Sequence, residues 1–462
     1  MKSKTKVSSL AILTSLLVAC GGSGGSSTPT PTPVPQNSAP VSVIKTTQAQ
    51  AQVFDNVNLS GLSSTDVDGD TLHFQWSIKS KPNQSNVTVS DAQNATLQFI
   101  PDVIGQYVIE LTVSDGKASN TSQSTIQVSN TYNIQEIGFR PSVADYSASL
   151  DKIVVVDDSS KTLNIIDRKT GIKQKIQLSA EAEVLKLSPN GKLAIIIHPN
   201  HISYIDLEKA QLITAYSNEG PFTDGFVTDD AIAYFIGQKN GQWNAKPLVK
   251  INLVTGQQET QLQNTFAKFY SESKGIYANK KNQIFYRNFG SSNQDIYSII
   301  IDPKTANAVS VVDSPYFGGY PVGDTFFLDN NQDYVYTSIG TYFYTKNLNY
   351  GGKIQLSENE KIIALNQDQA QNTSIILNIL SADIPSIFDQ NALKLHNFYT
   401  QYSGFGFGTT VVKTFPQISA NPSYGLKLFI SNENQNVGLV QIGSATLNTA
   451  NLKYYIVTMP AS

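Results

Sequence analysis

A turn motif that recurs at intervals is the strongest constraint on how this 462-residue chain folds. Its four copies are "IIDRKTG" from Ile165, "YIDLEKA" from Tyr204, "KINLVTG" from Lys250 and "IIDPKTA" from Ile300. In each copy an acid or an amide follows a β-rich run, and a Gly or Ala ends the turn. A motif repeated in this way indicates that one supersecondary unit is used several times along the chain.

Apolar strands recur with the same spacing. Their first apolar positions fall near residues 153, 193, 231, 284, 335, 375 and 427. Units of four short strands, at about 47 residues each, fit the segment 131–462, and both values are those of propeller blades. The sequence therefore predicts a β-propeller of seven blades over residues 131–462.

The first four units also carry a family resemblance. "LSPNGKLAIII" (Leu187–Ile197) with the following "YIDLEKAQLITAY" resembles the YVTN and WD40-like propellers of secreted bacterial proteins. The likeness weakens after about Pro315, where the turn motif is lost. "YNIQEIGF" (Tyr132–Phe139) precedes the first full unit. We expect it to pair with the C-terminal blade, because a closed ring has no exposed sheet edges.

Residues 39–130 have a different pattern. In "GQYVIELTVSDG" (Gly105–Gly116), apolar residues alternate with polar ones, as in a half-buried strand. Together with "STDVDGDTLHFQW" (Ser64–Trp76) and "FIPDVIGQY" (Phe99–Tyr107), this stretch resembles the PKD and cadherin-like sandwich family. The resemblance implies an immunoglobulin-like β-sandwich with Trp76 in the core and Tyr107 as the corner tyrosine. The predicted chain is therefore all-β: a PKD-type sandwich followed by the propeller.

An acidic loop in this segment suggests one metal. Some PKD-like domains bind calcium through two acids of this loop and the aspartate of a later Asp-Gly, and by that resemblance the ligands are Asp66, Asp68 and Asp115. Carboxylate oxygens suit calcium, although the spacing is not that of an EF-hand. The same Asp-x-Asp-Gly-Asp sequence is also explained as a turn, in which Asx side chains cap backbone amides. Both interpretations stay open, and calcium is the one cofactor that the sequence suggests.

The N-terminal sequence predicts secretion and attachment to a membrane. Residues 1–19 have three lysines and a short apolar run, which is typical of a secretory signal. "LVAC", ending at Cys20, resembles the lipobox of bacterial lipoproteins, and the resemblance implies that Cys20 is acylated and becomes the mature N-terminus. Residue 21 is Gly rather than Asp, which in that family implies the outer membrane. The Gly/Ser/Thr/Pro-rich residues up to 38 have little apolar surface to bury and are interpreted as a tether.

The net charge and the motifs argue against several kinds of ligand site and leave one kind of catalytic site open. The formal net charge is −3, which argues against nucleic acid as a partner, since phosphates need a basic face. His198 and His201 in "HPNH" have no third ligand in motif spacing, so a zinc site is not predicted. No Walker A or dinucleotide motif is present. A Ser-His-Asp arrangement is defined in space rather than by spacing, so the sequence leaves it open.

Two loops rich in aromatics and glycine stand out as contact surfaces. They are "SPYFGGYPVGD" (Ser314–Asp324) and "YTQYSGFGFG" (Tyr399–Gly408), and exposed aromatics in such loops present large contact area. The predicted binding residues are Tyr316, Phe317, Tyr320, Phe405 and Phe407. Packing between blades is the competing explanation.

We therefore expect a lipid-anchored envelope protein that binds or scaffolds through the loop face of its propeller. Its partners would be the membrane, through the anchor, and an envelope protein or glycan. The alternative is a propeller hydrolase, lactonase-like, at the periplasm or cell surface. Fold alone does not decide between these classes.

Overall fold

The regular structure consists of β-strands throughout the part of the chain that is described. The computed structural model describes residues 36–46, 48–53, 55–83, 85–89, 92–129, 132–217, 222–237, 247–262, 269, 273–287, 295–316, 318–368, 372–381, 393–404, 408–418, 421–447 and 451–459. No helix in these ranges is long and apolar enough to cross a membrane.

The N-terminal strands form two facing sheets. One sheet has the order β1-β3-β5, from Lys45–Thr46, Val57–Ser60 and Thr96–Phe99. The other has the order β2-β7-β6-β4, from Gln50–Gln52, Ser119–Ser129, Gly105–Ser114 and His73–Ser80. Strand β2 runs parallel to β7, and the other pairs are antiparallel. This arrangement is the predicted sandwich.

Specific residues confirm the predicted core of the sandwich. Trp76 is buried, and its Nε1 donates to the carbonyl oxygen of Asn94 at 2.8 Å. Tyr107 is fully buried, and its hydroxyl donates back to the carbonyl oxygen of Val103 at 3.1 Å, as a corner tyrosine does. The apolar face of β6 is buried, and the alternate residues from Val108 to Ser114 are half-buried. The period of two therefore predicted this strand correctly.

The rest of the chain forms consecutive antiparallel sheets, most of them four-stranded. The first four sheets contain β9 to β24, as follows: β9–β12 (Ala144–Ser147, Lys152–Asp157, Thr162–Asp167, Lys173–Gln177), β13–β16 (Val184–Leu187, Leu193–Ile197, His201–Asp206, Gln211–Ser217), β17–β20 (Asp224–Val227, Ile232–Ile236, Leu248–Asn252, Gln258–Gln261) and β21–β24 (Lys274–Ala278, Gln283–Arg287, Ile296–Ile301, Ala308–Asp313).

The later sheets depart from this pattern. The next has strands β25–β28 (Phe326–Leu328, Tyr334–Thr337, Thr341–Tyr344, Tyr350–Lys353). It is followed by a five-stranded sheet, β29–β33 (Glu360–Asp368, Thr373–Ser381, Leu393–Leu395, Phe398–Ser403, Thr410–Thr414). The last sheet has the order β34-β35-β36-β8, from Ser423–Ile430, Asn436–Ile442, Lys453–Met459 and Asn133–Glu136.

The recurring turn has one physical basis in several sheets. Asp167 Oδ1 accepts hydrogen bonds from the N–H groups of Lys169 at 3.0 Å and Thr170 at 2.8 Å, and Gly171 ends the turn with φ 71°. Asn252 and Asp302 cap the equivalent turns in the same way. The motif therefore needs a short acceptor side chain first and a left-handed residue last. It joins the third and fourth strands of its sheet.

One strand differs from its predicted place. The apolar spacing groups "LKLFIS" from Leu426 with the second strands of the other units, but this run lies in β34, the first strand of its sheet. The equivalent second strand is β35, Asn436–Ile442, which is buried along its whole length. The shift arises because both strands are apolar, so the pattern alone does not distinguish them.

The strand that precedes the first propeller-like sheet, β8, pairs with the C-terminal strand as predicted. Strand β8 pairs with the C-terminal strand β36, with Ile134 opposite Val457 and Glu136 opposite Tyr455. Neighbouring sheets share buried apolar clusters along the chain. One such cluster joins the last sheet to the first, through Phe429 and Val437 on one side and Val155 on the other. The fold is therefore propeller-like, with its ends brought together.

A buried arginine joins the same two sheets. Arg168, whose side chain is 2% exposed, donates from Nε to Asp151 at 2.6 Å in its own sheet. Its two terminal nitrogens donate to Gln435 at 2.7 Å and Glu433 at 2.8 Å in the last sheet. A buried guanidinium needs such partners on all its donors. Arg168 therefore clamps the sheets across the closure.

Replacing Arg168 by methionine is expected to lower the free energy of unfolding by about 3 kcal/mol, because the hydrogen bonds of the buried guanidinium to both sheets are lost and the mostly buried Asp151 loses its nearest cation. Chemical denaturation of the purified protein measures this. Lys169→Met is the matched control, since Lys169 pairs with the same carboxylates from a half-exposed position. Its loss is expected to cost below about 1 kcal/mol. Equal effects of the two substitutions would contradict the clamp.

Candidate functional site

A central channel runs between the sheets. It has a volume of about 490 Å³ and is lined by the first strand of each sheet from β9 to β34. Most of the lining residues have apolar side chains, and the charged ones are Asp145, Lys186 and Lys427. Both lysines stand between leucines, in Leu185-Lys186-Leu187 and Leu426-Lys427-Leu428. That L-K-L pattern on a first strand is a sequence signal that could have identified the channel charges.

One channel lysine is neutralised within the protein. Lys186 Nζ lies 3.1 Å from Asp224 Oδ1, and the Asp224 side chain is 3% exposed. The other oxygen of Asp224 accepts the backbone N–H of Gly275 at 3.0 Å, which connects the next sheet. The pair is therefore a structural ion pair that links neighbouring first strands around the channel.

The other two charged residues of the channel, Asp145 and Lys427, have no close ion-pair partner among the described residues. Asp145 Oδ1 accepts the backbone N–H of Tyr146 at 2.8 Å. Burial raises the pKa of Asp145, and this is opposed by that hydrogen bond and by attraction from Lys427 and Lys186. Burial lowers the pKa of Lys427, opposed by Asp145. Each charge thus stabilises the other, but in the described chain no carboxylate lies within 4 Å of the Lys427 ammonium.

Lys427 also reaches a second cavity, which we name the junction pocket. This pocket has a volume of about 520 Å³ and lies where the first and last sheets meet. Its lining includes Arg140, Asp158, Lys427, Gln441, Leu447 and Tyr454. Cavities of this size with a few convergent polar groups are typical small-molecule sites. Sequence reasoning missed this pocket, because its lining comes from both ends of the ring.

The "HPNH" histidines form a polar network on two loops. The rings of His198 and His201 stack with centroids 4.1 Å apart. His201 Nε2 lies 2.7 Å from Ser179 Oγ, and its Nδ1 lies 2.7 Å from Asn200 Oδ1. With the Asn200 oxygen as acceptor, Nδ1 carries the proton and Nε2 accepts from the serine hydroxyl. The order is that of a nucleophile, a base and a residue that orients the base.

The buried histidine holds this network in place. His198 is fully buried, with Nδ1 2.8 Å from the carbonyl oxygen of Glu181 and Nε2 3.0 Å from Ser203 Oγ. Burial lowers the pKa of both imidazoles. His201 is therefore expected to be neutral at pH 7, the form that can accept a proton.

Of the five predicted aromatic binding residues, the structure describes Tyr316 and Tyr320. Tyr320 stacks on Tyr350 with ring centroids 3.9 Å apart, and Tyr316 meets Tyr320 edge to face at 4.9 Å. The backbone N–H of Tyr350 donates to the Tyr316 hydroxyl at 3.2 Å. Phe317, Phe405 and Phe407 lie outside the described residues. Tyr316 and Tyr320 thus pack on their own sheet, and their contact with a partner stays a prediction.

The two aromatic loops do not form one surface. Asp324, at the end of the first loop, pairs with Lys361 at the start of β29, at 3.1 Å. Gly404, at the second loop, donates to the carbonyl oxygen of Asn372, just past the end of β29. The loops therefore lie at opposite ends of this nine-residue strand.

The acidic loop of the sandwich is tied to the segment that leads into it. Asp68 Oδ2 accepts the backbone N–H of Ser38 at 2.6 Å, and Asp115 Oδ2 accepts Asn37 Nδ2 at 2.8 Å. Asp66 Oδ1 caps the N–H of Asp68 at 2.9 Å, as the turn interpretation expects. Hydrogen bonds from the N–H groups of Ala118 and Lys117 and from Asn37 lower the pKa of Asp115 to about 2.

Two side-chain oxygens, one in this loop and one in the leading segment, are possible calcium ligands. Asp66 Oδ2 and Asn37 Oδ1 are buried and accept no hydrogen bond. Hard oxygens without a donor are the type of ligand that calcium prefers. In the described ranges, however, no three acidic, histidine or cysteine side chains are grouped closely enough to hold a metal ion. The donor chemistry fits calcium, while Asp68 and Asp115 would first have to exchange their N–H donors. Calcium binding stays a prediction.

The match to a known family supports the sandwich. Residues 47–128 match a family of PKD domains. This part of the chain is a PKD-like domain. No curated protein matches the chain.

Solved structures resemble the propeller-like part. The β-propeller domain of Cps50 (Swd1) from Myceliophteria thermophila is 10% identical with a TM-score of 0.47, covering 70% of this chain and 97% of that one. A chain of the Mitotic Checkpoint Complex is 9% identical with a TM-score of 0.47, covering 71% and 91%. U3-55K is 8% identical with a TM-score of 0.41, covering 71% and 98%. At these identities the matches carry no functional argument.

If Asp66, Asp68 and Asp115 bind calcium, millimolar Ca²⁺ should stabilise the sandwich, because a ligand selective for the native state shifts the unfolding equilibrium. A tenfold excess over Kd corresponds to about 1.4 kcal/mol. Fluorescence of Trp76, in a Trp243→Phe background, follows unfolding of the sandwich. Asp68→Ala should abolish the rise, and Glu110→Gln, an acid outside the loop, should keep it. Unfolding indifferent to Ca²⁺ and EDTA would return the loop to the turn interpretation.

Proposed function

We propose that this chain is a membrane-anchored interaction scaffold of the cell envelope. The order of its parts carries the proposal. Cys20 and the tether come first, then the sandwich, and Ser129 leads within four residues to Asn133, the start of the closing strand. A lipid anchor followed by two β-bodies holds the last body away from the membrane. Loops on a rigid scaffold are frequent recognition sites.

The recognition body in this proposal is a propeller of seven blades. Its support is the channel, which the first strand of each sheet from β9 to β34 lines, and the pairing of β8 with β36. The sandwich acts as a spacer between tether and propeller. The junction pocket is a cavity of about 520 Å³ with several polar side chains and is therefore where the partner, an envelope protein or a glycan, would be engaged.

The anchor is proposed from the sequence around Cys20, with Gly21 favouring the outer membrane. Multiple acyl chains on one cysteine would hold the protein durably, since each buried CH₂ contributes about 0.8 kcal/mol. Cys20→Ser is expected to move the protein from the membrane fraction to the soluble fraction and to remove the acyl label. Unchanged partition with the label kept would contradict the anchor.

Photo-crosslinking in cells that express the anchored protein tests whether the junction pocket engages a partner. A photo-crosslinking side chain at Ser159, which lines the junction pocket, should give a defined adduct in intact envelopes. The matched control is the same side chain at Lys175, which is exposed on the outer strand β12. Adducts of the same size and yield at both positions, or at neither, would contradict recognition at the pocket.

Ester hydrolysis is the second candidate function, and the network around His201 favours it. In this reaction Ser179 Oγ would attack an acyl carbonyl while His201 Nε2 takes its proton. The alcohol would leave with that proton, and water would then release the acid from Ser179. The backbone N–H groups of Ala180 and Glu181, which follow the serine in the chain and donate to no described residue, would be the candidate donors to the oxyanion in this reaction.

A fluorophosphonate probe tests this candidate without a known substrate. It should label Ser179, and Ser179→Ala should abolish labelling. His201→Gln should slow labelling by about a hundredfold or more, because the base is lost. Ser149→Ala is the control, since Ser149 is exposed but donates only to a backbone carbonyl. Absence of labelling at Ser179 would exclude an activated serine there.

A further inference from the structure

The junction pocket collects polar groups from distant parts of the chain. Arg140 lies on the segment that crosses from β8 to β9, and Asp158 on the turn between β10 and β11. Lys427, Gln441 and Tyr454 come from β34, β35 and β36. Leu426, Leu439 and Leu447 supply apolar lining. The mixture is that of a site for a small polar molecule.

The charge of this lining is unbalanced. Arg140 and Lys427 are the basic side chains of the lining, and Asp158 is its one carboxylate. Asp158 already accepts the backbone N–H of Ala182 at 3.1 Å. The Lys427 ammonium has no hydrogen-bond partner and no carboxylate within 4 Å among the residues that the structure describes, and Asp145 in the central channel attracts it from farther away. Two basic side chains and one carboxylate that already accepts a hydrogen bond favour an anionic ligand in this lining.

Gln441 adds a second requirement. Its side chain is fully buried, and its Nε2 donates to the carbonyl oxygens of Ser444 at 2.7 Å and Thr446 at 3.1 Å. Its Oε1 is buried and accepts nothing. A buried carbonyl oxygen without a donor is destabilising. A ligand that also carries a hydroxyl or N–H would remove this penalty.

We propose that the junction pocket binds a carboxylate-bearing group, with the carboxylate between Lys427 and Arg140 and a neighbouring hydroxyl or N–H directed to Gln441 Oε1. A sugar acid of a glycan and the C-terminus of a peptide share this chemistry. The pocket volume of about 520 Å³ accommodates either as a terminal unit. The inference rests on the proposed recognition role and names what that role would recognise.

Isothermal titration of the Cys20→Ser protein tests the proposal with defined probes. Glucuronate and N-acetylglycine represent the two sources, glucose is the neutral control, and inorganic phosphate is the competing anion. At least one carboxylate should bind at millimolar concentration, and glucose should not. The one that binds identifies the source.

Two variants test the assigned groups. Lys427→Met and Arg140→Gln should each weaken carboxylate binding by about tenfold or more, because each removes a charge-assisted hydrogen bond. Arg140 is exposed, so its variant should fold even if Lys427→Met does not. Lys175→Met, on the outer strand β12, should bind like the parent protein.

Three results would overturn the proposal: no binding of either carboxylate, phosphate binding as tightly as the carboxylate, or unchanged affinity in folded Arg140→Gln. Crosslinking at Ser159 separates this outcome from the wider function. A persistent adduct without carboxylate binding would overturn the ligand class alone. Loss of both would overturn the recognition role as well.

Discussion

The pairing of β8 with β36 is the interaction on which the ring depends. Four residue pairs, from Asn133 opposite Thr458 to Glu136 opposite Tyr455, join segments separated by over three hundred residues. Without them the last sheet would have three strands and expose an edge. Closing so long a loop carries an entropic cost that grows only slowly with length, so a short strand with a shared apolar cluster is sufficient.

The closure also creates the site. The chain leaves β8, crosses through Arg140 and enters the first sheet as its innermost strand. This crossing leaves a gap beside β34, where Lys427 stands without a paired carboxylate. Arg168 holds the same two sheets together at a different place, with acceptors on both. One junction therefore combines a firm clamp with an open, positively charged pocket. That combination suits recognition, because strands β34, β35 and β36 supply Lys427, Gln441 and Tyr454 on a rigid support, while the crossing segment and a turn supply Arg140 and Asp158.

The network around His201 and the junction pocket offer different chemistry. The former uses neutral side chains on exposed loops, and burial of the neighbouring His198 keeps the ring oriented. The latter relies on charges in a partly desolvated cavity, where each electrostatic interaction is stronger than in water. Neither depends on the acidic loop of the sandwich, whose side chains bind the segment from Asn37 to Ser38.

The sequence by itself determined the local structure. The turn motif predicted the third and fourth strands of several sheets, because an Asp or Asn cap and a left-handed Gly or Ala are decided within five residues. The period of two placed β6, since alternate residues face opposite sides of any strand. Only the tertiary structure decided the place of "LKLFIS" in its sheet, because an apolar run does not encode whether it forms the first or the second strand. It also decided the sites: Lys427 and Arg140 line the same pocket, and Ser179 lies within hydrogen-bond distance of His201, although the members of each pair are not neighbours in the chain. Such contacts depend on how whole sheets pack, and a local pattern carries no information about that.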